Sequence, residues 1–282
     1  MSLETQENRN TQDSPLRVLV SGYLGKMGSE VVRAVHGAPD LVLVGGFDPA
    51  REQESVLLDG EAIAPAFTNL ANALQQVQPQ VMVDFTQPKV AASNLEEALQ
   101  AGVDCVLGTT GVPTETLERL ASAAPAGCGL FVAPNFTTGA VIMMAAAKLA
   151  ARFFEDVEII ELHHNNKKDA PSGTAIATAE LIAEQRREVG LVSSAPGAET
   201  ELSAFEGVRG AELAQSGIHL HSVRSDGFVA SQEVIFGSSG QTLTIRHDSF
   251  DRRSYMPGVL LAIRSVGAIS GLVIGLEELM QL

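Results

Sequence analysis

Short apolar runs alternate with helix-like stretches through the first half of the chain, and this limits the fold more than any other feature. Val18-Leu19-Val20, Leu41-Val42-Leu43-Val44, Val81-Met82-Val83, Cys105-Val106-Leu107 and Leu130-Phe131-Val132 are continuous rather than alternating in polarity. Strands of that kind are buried on both faces, as in a parallel sheet with helices above and below. Helical pattern runs from about Lys26 to His36 and near 69–77, 90–101 and 115–123, filling the gaps. The expected class is α/β, opening with a Rossmann-like parallel sheet. From residue 157 the character changes. Strand-like runs fall at 157–163, 217–224, 230–237 and 241–247, with one strong helix after Ser172. That predicts a second, α+β domain on an open mixed sheet. Pro257 to Leu276 reads as helical and apolar and is expected to rejoin the first domain. The boundaries predicted are 15–136 with 247–282 for the first domain and 137–246 for the second. Residues 1–14 read as a disordered leader and 189–216 as a loop excursion.

Ser21-Gly22-Tyr23-Leu24-Gly25-Lys26-Met27-Gly28 follows the first strand directly and opens a helix. Glycines in this G-x-x-G-x-x-G spacing let the backbone turn tightly and approach a pyrophosphate at the helix N-terminus. Asp48 ends the second strand, where an acidic side chain takes ribose hydroxyls. Lys26 and Arg51 are close enough in sequence to meet a 2′-phosphate instead, so NADH and NADPH stay open. Met27 lies in the same cofactor loop. Asp84-Phe85-Thr86, Gly108-Thr109-Thr110-Gly111 and Pro134-Asn135-Phe136 follow three further strands. In an open α/β sheet that edge holds the ligand. Phe85, Thr86, Gly108, Thr109, Thr110, Pro134, Asn135 and Phe136 are therefore candidates for the nicotinamide end of a dinucleotide.

A second polar concentration occupies Glu158 to Ala175, EIIELHHNNKKDAPSGTA. It sits between a strand-like run and a good helix former, where a scaffold can aim reactive side chains into a cleft. Ser172 is a natural N-cap, which leaves the N–H groups of Gly173 and Thr174 pointing out of the helix start. A carboxylate there meets both donors and dipole. His163 is suited to give a proton near neutral pH, and Lys167 supplies a nearby positive charge. The segment thus suits an anionic substrate that must also receive a proton. Lys168 and Asp169 read as scaffolding. No metal site is expected: His163 and His164 face opposite ways on a strand, with no carboxylate at helical spacing to complete one.

The net charge of −15 argues against nucleic acid as a partner, because phosphate neutralisation needs a basic surface. It also requires an anionic substrate to be captured by a local cationic pocket. Cys105 and Cys128 have no metal-ligand spacing and read as small buried hydrophobes. The first fifteen residues lack the apolar core of a secretory signal, and no run reaches membrane-span length, so a cytoplasmic enzyme without a membrane partner is expected.

Taken together these residues resemble the dihydrodipicolinate reductase family from about Leu16 onward. The resemblance is most specific in Glu158-Ile159-Ile160-Glu161, His163, Lys167 and Pro171-Ser172-Gly173-Thr174-Ala175. It implies a two-domain enzyme that reduces a cyclic imine dicarboxylate with NADH or NADPH, usually as a homotetramer built through the second domain's sheet. The first domain would then bind the dinucleotide. It further implies His163 as general acid with Lys167 as its cationic partner, His164 as a substrate contact, and Gly173 and Thr174 as holders of a substrate carboxylate. Ala230-Ser231-Gln232 departs from a more typical Gly-Glu-His, and Asn165-Asn166 from a stretch that often carries a basic residue. The competing readings are another two-domain dehydrogenase, of semialdehyde or homoserine type, and a non-catalytic dinucleotide sensor. The first of these, in its semialdehyde form, needs a nucleophilic cysteine, and neither cysteine has an activating neighbour in sequence.

Overall fold

The apolar runs become strands and the stretches between them helices. The structure, a computed structural model, describes residues 14–191, 208–213 and 216–282. The chain opens with β1 (Leu16–Ser21), α1 (Lys26–His36), β2 (Leu41–Phe47), β3 (Ser55–Leu58), β4 (Glu61–Phe67) and α2 (Leu70–Val77). It continues with β5 (Val81–Asp84), α3 (Pro88–Gln100), β6 (Asp104–Leu107), α4 (Thr114–Ala123) and β7 (Gly129–Val132). Next come α5 (Thr138–Ala150), β8 (Asp156–His163), α6 (Gly173–Glu188), β9 (Ala211–Glu212), β10 (Ile218–Arg224), β11 (Ala230–Ser238) and β12 (Gln241–Ser249). The chain closes with α7 (Met256–Ser265), β13 (Gly271–Ile274) and α8 (Leu276–Met280).

Two compact units result, the first from residues 14–136 with Tyr255–Gln281 and the second from Thr137–Ser254. The return falls at Tyr255 rather than at 247. β12 stays paired with β11 as far as Ser249, which keeps that stretch in the second sheet.

The first unit is an eight-stranded sheet in the order β13-β7-β6-β5-β1-β2-β4-β3, parallel except for the β3–β4 pairing. The order reverses direction between β1 and β5, the switch point at whose carboxyl edge open α/β sheets bind their ligands. Gly28, Val31, Val32 and Val35 recur at 3- and 4-residue spacing and give α1 one buried face. Leu19, Met82, Leu95, Leu99, Leu107 and Leu130 are among the residues of a continuous core on this sheet. Each fully buried side chain of this size contributes roughly 1.5–3 kcal/mol.

Three strands of this sheet are absent from the sequence reading. The β3–β4 hairpin lies where no element was expected, because its pattern is half-exposed and a proline stands in β4. β13 interrupts the stretch read as helix to Leu276 and pairs in parallel with β7. Leu272-Val273-Ile274 is short enough to read as either element; the helix stops at Ser265, and Gly271, at φ +88°, opens the strand.

The second unit is a five-stranded mixed sheet, β12-β11-β8-β10-β9. β8 lies parallel to β10 and antiparallel to β11. Ala175, Thr178, Ala179, Ile182, Ala183 and Arg186 form the buried stripe of α6. Ala175, Ala179, Ile182 and Ala183 share a core with Ile159, Ile218, Val234 and Phe236 of the sheet, and with α5, a helix without a counterpart in the sequence analysis. Arg186 is buried at the far end of α6, where its guanidinium donates to the carbonyls of Phe154 and Glu155 at 2.8 and 2.5 Å. The expected leader lies outside the described residues, as does most of the expected 189–216 excursion.

Candidate active site

In the first unit the polar turns converge on one carboxylate that the sequence reading passed over. Asp84 closes β5 fully buried. One of its oxygens accepts from Ser21 Oγ at 2.7 Å and Asn94 Nδ2 at 2.9 Å, the other from the Thr86 N–H at 2.9 Å and Thr86 Oγ1 at 2.6 Å. Four donors make the burial of a charge tolerable. They also tie the ends of β1 and β5 to α3. Thr86 then accepts at its carbonyl from Thr109 Oγ1 at 2.9 Å, which carries the network to the Gly108–Gly111 turn.

The glycine loop closes against the same residues. A Cβ on Gly28 would stand 2.1 Å from the Gly22 carbonyl oxygen, so no larger residue lets α1 start this close to the loop. Gly22 in turn abuts Thr86 and the Phe85 carbonyl. Gly25 is the N-cap of α1, with no side chain bonded across the helix start. Phe85 lies against Gly108, where a Cβ would meet its ring at 2.1 Å, and its ring centroid is 5.9 Å from that of Phe136. Lys26, Thr110 and Pro134 stand exposed, with Met27 and Asn135 half-buried.

At the end of β2, Asp48 accepts from the Ala50 N–H at 3.0 Å, and Arg51 donates from Nη1 to the Gln53 carbonyl at 2.9 Å. The Nε of Arg51 is buried without a partner among the described residues. Tyr23 packs beside them, its hydroxyl pushed up by burial and by Asp48. A capless helix start at a glycine cradle, with a carboxylate and an unsatisfied guanidinium N–H at the next strand end, fits a dinucleotide.

The second unit is organised around Glu161, which has no exposed surface. Its carboxylate accepts from His163 Nδ1 at 2.5 Å, from both terminal nitrogens of Arg224 at 2.7 and 2.8 Å, and from the Ser172 N–H at 3.2 Å. Burial alone would raise this carboxyl, yet bonds from Arg224, Ser222 and His163 outweigh it and hold it below the usual range. A charged carboxylate bonded to Nδ1 fixes the His163 ring and leaves Nε2 as the atom that can carry a transferable proton. Burial, with Lys167 and Arg224 nearby, pulls the imidazole below its ordinary value, while Glu161 acts in the other direction.

Lys167 reaches both oxygens of Asp169, at 2.8 and 2.9 Å. Asp169 is therefore more than loop scaffolding, since it holds the ammonium in place. Ser172 caps α6 by accepting from the Ala175 N–H at 3.2 Å, leaving Gly173 and Thr174 as the first-turn donors without an intrahelical acceptor. Nothing lies within 4 Å of where a Gly173 Cβ would be. His163, Lys167, Gly173 and Thr174 are thus gathered at one end of the sheet, while His164 is exposed on the turn that follows. Arg224 and Glu161 were given no role from sequence. They are 63 residues apart, and only the parallel pairing of β10 with β8 brings them together. Cys105 and Cys128 are free and buried, and burial pushes the Cys128 thiol up to about 11.

Two family descriptions cover nearly the whole described chain: "Dihydrodipicolinate reductase, N-terminus" matches residues 16–136, and "Dihydrodipicolinate reductase, C-terminus" matches residues 139–280. A 4-hydroxy-tetrahydrodipicolinate reductase of Listeria monocytogenes serotype 4b is 47% identical over 269 residues, covering 94% of this chain and 100% of the relative. The Geobacillus kaustophilus enzyme of the same name is 46% identical over 94% of this chain and 99% of its own. A solved dipicolinate-bound dihydrodipicolinate reductase from Paenisporosarcina sp. TG-14 superposes with a TM-score of 0.82 at 41% identity, over 94% of this chain and 99% of that one. A myo-inositol 2-dehydrogenase from Lactobacillus plantarum, 12% identical with a TM-score of 0.60, shares the fold alone. With its glycine cradle, its Glu161-centred cluster and these matches along its length, the chain belongs to the dihydrodipicolinate reductase family.

Proposed function

We propose that this chain reduces 4-hydroxy-tetrahydrodipicolinate to tetrahydrodipicolinate, with loss of water, in lysine and diaminopimelate biosynthesis. The observation that carries the reading is Glu161, one buried carboxylate that holds His163, Arg224 and the cap of α6 together. The first unit holds NADH or NADPH through Gly22, Gly25, Lys26, Met27 and Gly28, with Phe85, Thr86, Gly108, Thr109, Thr110, Pro134, Asn135 and Phe136 around the nicotinamide. When bound, the nicotinamide supplies the hydride.

The second unit binds the substrate. Gly173 and Thr174 donate backbone N–H groups to one carboxylate at the positive end of α6. Lys167 exchanges Asp169 for substrate charge and, as a cation beside His163, eases release of the imidazolium proton, while His164 adds a contact from the turn. The overall balance takes up one hydride and one proton and releases one water. His163 gives the proton from Nε2, while Glu161 at Nδ1 stabilises the imidazolium until it leaves. Asp48 takes ribose hydroxyls, and Arg51 with Lys26 meets a 2′-phosphate, so both cofactors are accepted.

The purified protein should consume NADH or NADPH only when the substrate is generated in the cuvette. Consumption without it, or none with it, would end this reading. Dipicolinate, the planar dicarboxylate in the Paenisporosarcina structure, should compete with the substrate and not with the cofactor. The raised thiol of Cys128 and the burial of both cysteines weigh against a semialdehyde-type dehydrogenase.

The same reading makes the protein a cytoplasmic homotetramer assembled through the second sheet. β12 supports this. It is a nine-residue edge strand whose first four residues are exposed, the kind of edge that invites a partner. None of the described helices is long and apolar enough to cross a membrane.

A further inference from the structure

One buried amide is unused by the chemistry above. Gln232, on β11, is 4% exposed and sits directly across from Glu161 of β8. Its Nε2 donates to Thr178 Oγ1 at 2.8 Å, and Thr178 Oγ1 donates to the Thr174 carbonyl at 2.7 Å. A threonine back-bonded to the carbonyl four residues earlier is common in helices and tends to bend them. Here the hydroxyl is fully buried and receives a donor from another element, so its one hydrogen has a single direction to point. The amide orientation is fixed by the same logic, and it leaves Gln232 Oε1 buried without a partner among the described residues. An orphaned buried acceptor costs about 1–3 kcal/mol, so the chain retains this arrangement against its own stability.

We infer that Gln232 and Thr178 form a strut that sets the first turn of α6 for substrate binding. The helix start is then held at two points by neighbouring strands: Glu161 bonds the Ser172 N–H, and Gln232 reaches the Thr174 carbonyl through Thr178. Between those points lie the N–H groups of Gly173 and Thr174. Gln232 and Thr178 are positioning residues, and the inference rests on the reading that those two N–H groups take a substrate carboxylate.

The test is steady-state kinetics and thermal melting of the full chain, with hydrogen exchange over residues 173–178. Thr178→Val should raise the substrate KM about tenfold, equivalent to about 1.4 kcal/mol. kcat and the cofactor KM should stay within about twofold of wild type, because only substrate positioning is altered. Thr178→Ser, which keeps the hydroxyl, should restore the wild-type KM. Thr178→Val with Gln232→Leu removes both partners, so it should recover the melting temperature yet keep the raised KM. Gln232→Met should raise KM about threefold, since the Thr178–Thr174 bond survives. An unchanged KM in Thr178→Val, or a KM that recovers together with the melting temperature in the double variant, overturns the inference. Absence of turnover in wild type would instead sink the proposed function. The strut would then stand or fall on whether Thr178→Val speeds exchange across 173–178.

Discussion

Glu161 shows how one residue can settle the chemistry of its neighbours. Its charge is held by Arg224, and that charge fixes which nitrogen of His163 is available for proton transfer. Burial sets the imidazole below its ordinary value, so kcat/KM should fall with rising pH along a limb that lies below 6.5. Glu161→Gln removes the contact that opposes burial, and the limb should move to still lower pH. A limb that stays in place would separate Glu161 from the proton donor. The same shift has a stability sign. A histidine depressed on folding contributes stability that is present above 6.5 and lost as pH falls through the folded value. The melting temperature of wild type should therefore decline on acidification below 6.5, and His163→Asn should decline less. Arg224→Ala leaves the buried carboxylate to His163, Ser222 and the Ser172 N–H, without its guanidinium, and should cost roughly 3–5 kcal/mol, read as a lower urea midpoint.

At the scale of elements, the glycine loop and the strand ends act as one part because Asp84 ties them. Asp84→Asn replaces two of its accepting lone pairs with donors that face Ser21, Asn94 or Thr86, and should cost roughly 2–4 kcal/mol in chemical denaturation. Gly28→Ala forces the start of α1 away from the Gly22 carbonyl, which is backbone and cannot yield. Dinucleotide affinity should fall at least about tenfold by fluorescence titration, and wild-type affinity would remove the loop from the binding site.

Most of the elements were legible in the sequence where their signal was local. Buried parallel strands read as unbroken apolar runs, and the cap, glycines, His163 and Lys167 fall in two short segments. What escaped was non-local. The grip of Arg224 on Glu161 and the convergence on Asp84 both join residues more than 60 positions apart. β3 and β13 escaped for a different reason, since four residues of mixed pattern fit a turn or a helix as well as a strand.

The whole molecule consists of two units, each with its own core: one on the parallel sheet, one beneath α6. Calorimetry should therefore resolve two transitions, and NADPH at a hundred times its Kd should stabilise the first unit's by about 2.7 kcal/mol. A single transition raised as one by the cofactor would mean the units unfold together. With an overall charge of −15, capture of an anionic substrate is left to the local cations, Lys167 among them. The account's central claim is that His163 and Lys167 act jointly on the proton. The most direct measurement is kcat for His163→Ala, Lys167→Ala and the double variant, with substrate generated in the cuvette. Each single change should lower kcat by about 10²-fold or more. The double should fall no more than a few-fold below the worse single, because residues acting as a unit are not additive. Near-normal turnover in both single variants, or losses that simply multiply in the double, would contradict the account.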